Sequence, residues 1–185
     1  MAAVRYSLAL LAGLVLCGAA GAGALPGVNG QIAFERNGVV AAFDPRTGTT
    51  TDVLPGTQPA WSNAASALAF VRDNVVYTSA SDGTGVTAVG PGLWPTWSPS
   101  GDRLALVRSD PLSPQGTLQL YVAPLATPDQ QQQLSFGTDV RLPAWSPDGT
   151  RIAYGTADGL YSVAVDGSSP PQPVFTSPPV SGGPS

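Results

Sequence analysis

Apolar residues along this chain come in short runs, most of them alternating with polar or small residues, and each run ends at Gly, Pro, Asp or Asn. Alternation with a period of two, cut by turn formers, is the pattern of half-buried β-strands rather than of helices. One pattern recurs. Residues 143–154 read PAWSPDGTRIAY, residues 95–106 read PTWSPSGDRLAL, and residues 59–70 read PAWSNAASALAF. Residues 31–34, QIAF, form a fourth copy without its head. Ile32, Leu68, Leu104 and Ile152 hold equivalent positions, spaced by 36, 36 and 48 residues, and Trp61, Trp97 and Trp145 are spaced by 36 and 48. A period in this range marks stacked copies of one supersecondary unit.

Within a unit the alternation predicts four short strands. In the last unit they cover residues 142–146, 151–154, 160–165 and 173–176, and in the third 93–98, 103–108, 118–123 and 132–135. The second unit gives 58–62, 67–72, 75–79 and 86–89; the first, lacking its Trp strand, gives 31–36, 39–43 and 51–54. The extra 12 residues of the third unit fall around 110–116 and 127–133. Four-stranded antiparallel units of roughly 40 residues in series are β-propeller blades. The expected fold is therefore all-β: a β-propeller-like array of about four blades, the first lacking one strand. A closed four-blade ring, an open arc, and an incomplete ring completed by a second copy are all compatible with this count.

Turn chemistry agrees. In Ser146-Pro147-Asp148-Gly149, Pro147 pre-sets the backbone angle at the first central position and Gly149 suits a positive one. Ser98-Pro99-Ser100-Gly101 keeps that chemistry, whereas Ser62-Asn63-Ala64-Ala65 has lost both Pro and Gly, so the loosest turn is expected there. Each repeat Trp precedes such a turn, and a large ring at a fixed place in every unit is expected to pack between neighbouring blades.

The motif P-x-W-S-P-[DS]-G-x-x-[IL]-A, followed by an aromatic strand ending in Asp-Gly, resembles the propeller repeats of TolB-type proteins. Related repeats form the propeller domains of some tricorn-like and prolyl-oligopeptidase-like peptidases. The resemblance spans residues 31–176. It implies a periplasmic protein that binds partner proteins in the cell envelope. TolB-like proteins carry an α/β domain ahead of about six blades, whereas the repeats here number at most four and residues 25–30 alone lead from the expected signal to the first strand.

Residues 1–24 have the layout of a secretory signal. Arg5 is the positive charge, residues 8–17 are apolar, and Ala22-Gly23-Ala24 offers a small-x-small cleavage site. The expected division is a signal at 1–24, the propeller-like domain at 25–176, and a disordered Pro/Ser/Gly tail at 177–185. An uncleaved anchor and lipidation of Cys17 are the membrane-bound alternatives. Cys17 is the sole cysteine, so a chain cleaved after Ala24 has neither a disulfide nor thiolate chemistry. The expected location is the periplasm or the extracellular space. Without Arg5, seven arginines face twelve acidic residues, a net charge of −5. Such a surface disfavours nucleic acid and anionic lipid.

The chain has no His and no Lys. That removes Ser-His-Asp hydrolysis, most zinc sites, and Schiff-base or Ser-Lys mechanisms. Eleven Asp remain, many in Asp-Gly turns at 82, 148, 158 and 166. They read as hairpin turns. Residues 81–85, SDGTG, are the one weak calcium-loop candidate. No metal and no cofactor is expected. Arg36, Arg72 and Arg108 recur at 36-residue spacing, and Thr156 breaks the series in the fourth unit. On a ring, three guanidinium groups at equivalent positions suit an anion or carboxylate. The alternative is local pairing with Glu35, Asp73 or Asp110.

These features predict an exported, non-enzymatic scaffold that binds a protein or peptide partner through one face or the channel. The alternatives are a truncated propeller of a larger enzyme, and a hydrolase or lyase that uses Asp and Tyr.

Overall fold

Among the described residues, fifteen antiparallel strands form from the alternating segments. They are β1 (Ile32–Arg36), β2 (Val39–Asp44), β3 (Thr49–Pro55), β4 (Thr57–Trp61), β5 (Ala67–Arg72), β6 (Val75–Ala80), β7 (Thr87–Pro91), β8 (Leu93–Trp97), β9 (Arg103–Ser109), β10 (Leu118–Pro124), β11 (Gln132–Gln133), β12 (Arg141–Trp145), β13 (Arg151–Gly155), β14 (Gly159–Ala164) and β15 (Gln172–Thr176). The computed structural model describes residues 30–109, 116–137 and 139–176. The expected signal at 1–24 with Cys17, the tail at 177–185 and Asp110 lie outside the described residues.

The strands make four sheets in chain order. The first holds β1 to β3, and the next three hold β4 to β7, β8 to β11 and β12 to β15. Each sheet is a simple meander of antiparallel neighbours in chain order. The one substantial difference from the sequence reading is β11. It is two residues long rather than reaching 135, because Leu134 and Ser135 turn inward and are buried at 4% and 1% exposure.

Alternation along the second strand of each sheet builds the core. In β9, Leu104 and Leu106 point to one side and Ala105 and Val107 to the other, and all four have 0% exposure. The first pair joins Ala69, Val71 and Trp97 in a cluster shared with the second sheet. The second pair joins Ile152, Tyr154 and Trp145 in a cluster shared with the fourth. A middle sheet is thus apolar on both faces, as in a stack of blades. Full burial of each Leu contributes about 1.5–3 kcal/mol.

The first strand of each later sheet packs against the sheet before it: β4 on β1 and β2, β8 on β4 and β5, β12 on β8 and β9. The first and last sheets share no strand pairing, and the ring is not closed. Among the described residues no strand covers the outer edge of β1. Ile32 is 51% exposed there, and Val174 and Phe175 on β15 are exposed at 60% and 63%.

Each of β4, β8 and β12 carries a bulge in its pairing with the next strand. Gln58, Trp94 and Leu142, each just before a Pro, sit there at φ of 50°, 49° and 51°. Bulges re-aim side chains at sheet rims, and here they lie where neighbouring sheets meet.

Candidate functional site

Two-residue hairpins set one end of the array. Asn37-Gly38 joins β1 to β2, and Asp73-Asn74 joins β5 to β6. All four residues have positive φ: 53°, 76°, 51° and 60°. That is the backbone of a type I′ turn, which matches strand twist and favours Asn, Asp and Gly. Between these hairpins opens a cleft of about 320 Å³, lined by Gly38, Pro55 and Gly56 of the first sheet and its exit. The second sheet adds Thr57, Gln58, Val71, Arg72, Asp73 and Asn74, and the third adds Leu93.

Close backbone approach marks the entries to the second and third sheets. A Cβ on Gly56 would lie 2.7 Å from the Phe70 ring, and one on Gly92 would lie 2.8 Å from Leu106 Cδ1. Gln58 Oε1 accepts from the Trp94 backbone N–H at 2.6 Å, which ties the inner strands of the second and third sheets together.

The arginine series sits at this same end of the sheets. The Arg36 guanidinium reaches the Asp52 carboxylate at 2.5 Å, both side chains exposed. Arg72 donates through Nε and Nη2 to the Pro55 carbonyl at 3.1 and 2.8 Å. Its guanidinium also lies 5.4 and 5.6 Å from the stacked rings of Phe70 and Tyr77. Arg108 donates to Gln131 Oε1 at 2.7 Å, 4.0 Å over the Tyr121 ring. Gln131 Nε2 then donates to the Val89 carbonyl of β7 at 3.3 Å. Arg72 and Arg108 thus brace the outer strand of the preceding sheet.

The local partners expected from sequence, Glu35 and Asp73, are not the ones these arginines take. Glu35 precedes Arg36 on β1 and so points to the opposite face, while Asp73 sits in the hairpin turn with φ of 51°. In the fourth sheet Thr156 bonds Asp158 instead.

The repeat tryptophans lie one level inward. The Trp97 Nε1–H donates to the Ala60 carbonyl at 2.9 Å, and the Trp145 Nε1–H donates to the Thr96 carbonyl at 3.1 Å. The rings are 7% and 8% exposed. Trp61 Nε1 is equally shielded but has no hydrogen-bond partner among the described residues.

The turns after them share one design. Gly101 and Gly149 donate to Ser98 and Ser146 carbonyls at 2.9 Å, and Ala65 donates to Ser62 at 2.8 Å. The second unit's turn is thus closed as tightly as the others, contrary to the looser turn expected, because the same Ser anchors it. Ser62 Oγ accepts from the Ala67 N–H as Ser146 Oγ does from Arg151. The lost Gly shows instead as backbone strain, with Ala65 at φ 50°. After Pro147, the Asp148 carboxylate accepts from Ser146 Oγ, Thr150 Oγ1 and Thr150 N.

Acidity follows these bonds. The Ser146 hydroxyl and the Thr150 groups hold the Asp148 carboxyl below its usual range, and Ser100 and Ser98 do the same for Asp102. Hydrogen bonds from Thr84 lower Asp82, in the calcium-loop candidate. Among the described residues no group of three His, Cys, Asp or Glu gathers. Tyr161 donates to Asp158 at 3.0 Å and stacks on Tyr154, whose hydroxyl is pushed up to about 12 by burial.

Sequence reasoning passed over Gln58, Asn74, Gly56 and Gln131. The recurrence of Gly five residues before Trp61 and Trp97, and the Asn-Gly pair at 37–38, were the available signals.

No family model matches the chain, and no curated protein matches it in sequence. Solved structures do. A protein assigned as TolB from Agrobacterium tumefaciens superposes with a TM-score of 0.62 at 16% identity, covering 78% of this chain and 60% of its own. TolB from Acinetobacter baumannii gives 0.63 at 17%, over 80% of this chain and 41% of its own. An oligogalacturonate lyase in complex with manganese gives 0.57 at 20%, over 75% and 42%. The chain adopts a TolB-type β-propeller fold, and it spans about half the length of these neighbours.

Proposed function

We propose that this chain is an exported, non-enzymatic propeller scaffold that binds a protein or peptide partner of the cell envelope at the end of the array bearing Arg72, Asp73 and Asn74. The observation that carries this reading is the cleft shared by three successive sheets, lined by Gly38, Pro55 and Gly56 together with Gln58 and Asn74. Peptide groups and side-chain amides offer hydrogen bonds to an extended segment, and the converging sheets give it length. The two TolB neighbours support a protein-binding role for the fold.

Affinity capture from an envelope extract tests it, with the wild-type chain and Asp73→Arg as baits. The expected result is a protein or peptide held by the first and lost by the second. Equal retention on both sinks the reading.

The lyase neighbour and the Asp158–Tyr161 hydrogen bond favour a second reading, catalysis by Asp and Tyr on an acidic polysaccharide. Turnover of oligogalacturonate that disappears in Tyr161→Phe would replace the scaffold reading.

A further inference from the structure

Arg72 is held on two sides and left open on a third. Its Nε–H and one Nη2–H donate to the Pro55 carbonyl, and its guanidinium sits over the stacked Phe70 and Tyr77 rings. A guanidinium has five N–H donors, so three remain, on the terminal edge formed by Nη1 and Nη2. That edge is the fork that meets the two oxygens of a carboxylate. Among the described residues no carboxylate takes it, since the salt bridges there belong to Arg36, Arg46 and Arg103. The other members of its series are engaged at this position. Asp52 neutralises Arg36, and Gln131 Oε1 occupies Nη1 of Arg108.

The cleft around Arg72 is short of acceptors. Four of its carbonyls are already engaged: Gly38 by the Gly56 N–H, Asn74 by the Gly92 N–H, Pro55 by Arg72 and Val71 by Thr57 Oγ1. Its donors are in surplus. The Trp94 backbone N–H can only donate, so the oxygen of the Gln58 amide faces it at 2.6 Å. The NH2 group is left for the cleft that Gln58 lines. Among the described residues Arg72 is the one cation lining the cleft, and Asp73, on the hairpin, is the one acid.

We infer that the group seated in this cleft is a carboxylate of the bound peptide segment, an inference that rests on the reading of the cleft as a partner site. Arg72 receives both oxygens through its terminal fork, and Gln58 Nε2 donates to one of them. Because Pro55, Phe70 and Tyr77 already fix the guanidinium, little side-chain freedom is lost on binding. Asp73 then accepts from the segment's own N–H groups, which fits the loss expected of Asp73→Arg. A chain-terminal carboxylate and the side chain of Asp or Glu present the same chemistry.

Three peptides test it, each followed by NMR on the full chain: acetyl-trialanine with a free carboxylate, the same peptide as its C-terminal amide, and acetyl-Ala-Glu-Ala amide. The Arg72 Nε–H and Gln58 side-chain resonances should move with a peptide that carries a carboxylate and stay in place with the neutral amide. A response to the free terminus assigns that source, and a response to the Glu peptide assigns a side chain. Gln58→Glu keeps the oxygen that faces Trp94 and replaces the donor with a negative charge, so it should abolish the response. Arg72→Lys keeps the charge without the fork and should weaken binding about tenfold, whereas Arg36→Lys should leave it unchanged. No response to either acid overturns the inference, as does unaltered affinity in Gln58→Glu. A response to trigalacturonate alone overturns it in favour of the saccharide reading. Equal responses to acid and amide overturn it while segment binding stands. Equal retention of partners by wild type and Asp73→Arg, with the acid responses intact, sinks the scaffold reading instead.

Discussion

Replacing Trp97 by Ala probes the contact between the second and third sheets most directly. The ring is 7% exposed and packs in a cluster with Ala60, Val71, Leu104, Leu106 and Tyr121. Truncating a buried Trp to Ala costs about 3–5 kcal/mol through lost burial and the cavity left behind. The Nε1–H bond to Ala60 at 2.9 Å adds about 1 kcal/mol and leaves that carbonyl unpaired. Domains are typically stable by about 5–15 kcal/mol, so the change removes a large share. Urea unfolding followed by far-ultraviolet circular dichroism reads it without relying on the deleted fluorophore. With a slope of about 2 kcal/mol per molar, the midpoint should fall by about 2 M. Trp97→Phe separates the terms: it keeps most of the ring and should lose about 1–2 kcal/mol. Phe136, 72% exposed, is the control, and its Ala variant should shift within about 0.5 kcal/mol. If Trp97→Ala moves the midpoint no further than Phe136→Ala, the ring does not join the sheets and the account of the core fails.

Three further outcomes follow from the geometry. Ala65→Gly relieves a φ of 50° at a place where the other two repeats use Gly, and it should raise the melting temperature by about 2–4 °C. Gly92→Ala places a Cβ 2.8 Å from Leu106 Cδ1 and 3.3 Å from the Val107 carbonyl, so overpacking should cost about 1–3 kcal/mol in chemical denaturation. The Asp148 carboxyl is held below its ordinary value of 3.8, chiefly by the Ser146 hydroxyl. Its contribution is therefore complete above that value and lost as pH falls through the lower folded one. Stability measured from pH 5 down to pH 2 should fall less steeply in Asp148→Asn than in the parent.

Much of the architecture was legible because one pattern is written three times. Trp, Pro and the first apolar residue of each second strand aligned the units, and among the described residues the strands formed where alternation placed them except at β11. Leu134 and Ser135 escaped because a β-type run does not reveal that its end turns into the core. The arginine series was visible, but its partners were not. Pro55 supplies a carbonyl, which sequence never displays, and Gln131 sits in a glutamine run with no repeat to compare. The cleft was missed for a related reason. Its lining comes from three sheets that the repeat alignment does not bring together, and it mixes Gly38, Pro55 and Gly56 with polar side chains that carry no reactive group.

Among the described residues no strand pairing closes the row of sheets, which makes unfolding a problem with two ends. Each sheet is held only by its neighbours, so cooperativity passes down the line as in a one-dimensional chain. The cluster joining the first two sheets contains only four buried residues, Val40, Leu54, Leu68 and Phe70, while the one joining the last two contains eleven. Fraying should begin at the first sheet. Amide exchange in β2 should then outpace that in β9 and β10, and the melting curve should broaden at its low-temperature side rather than fall in a single step.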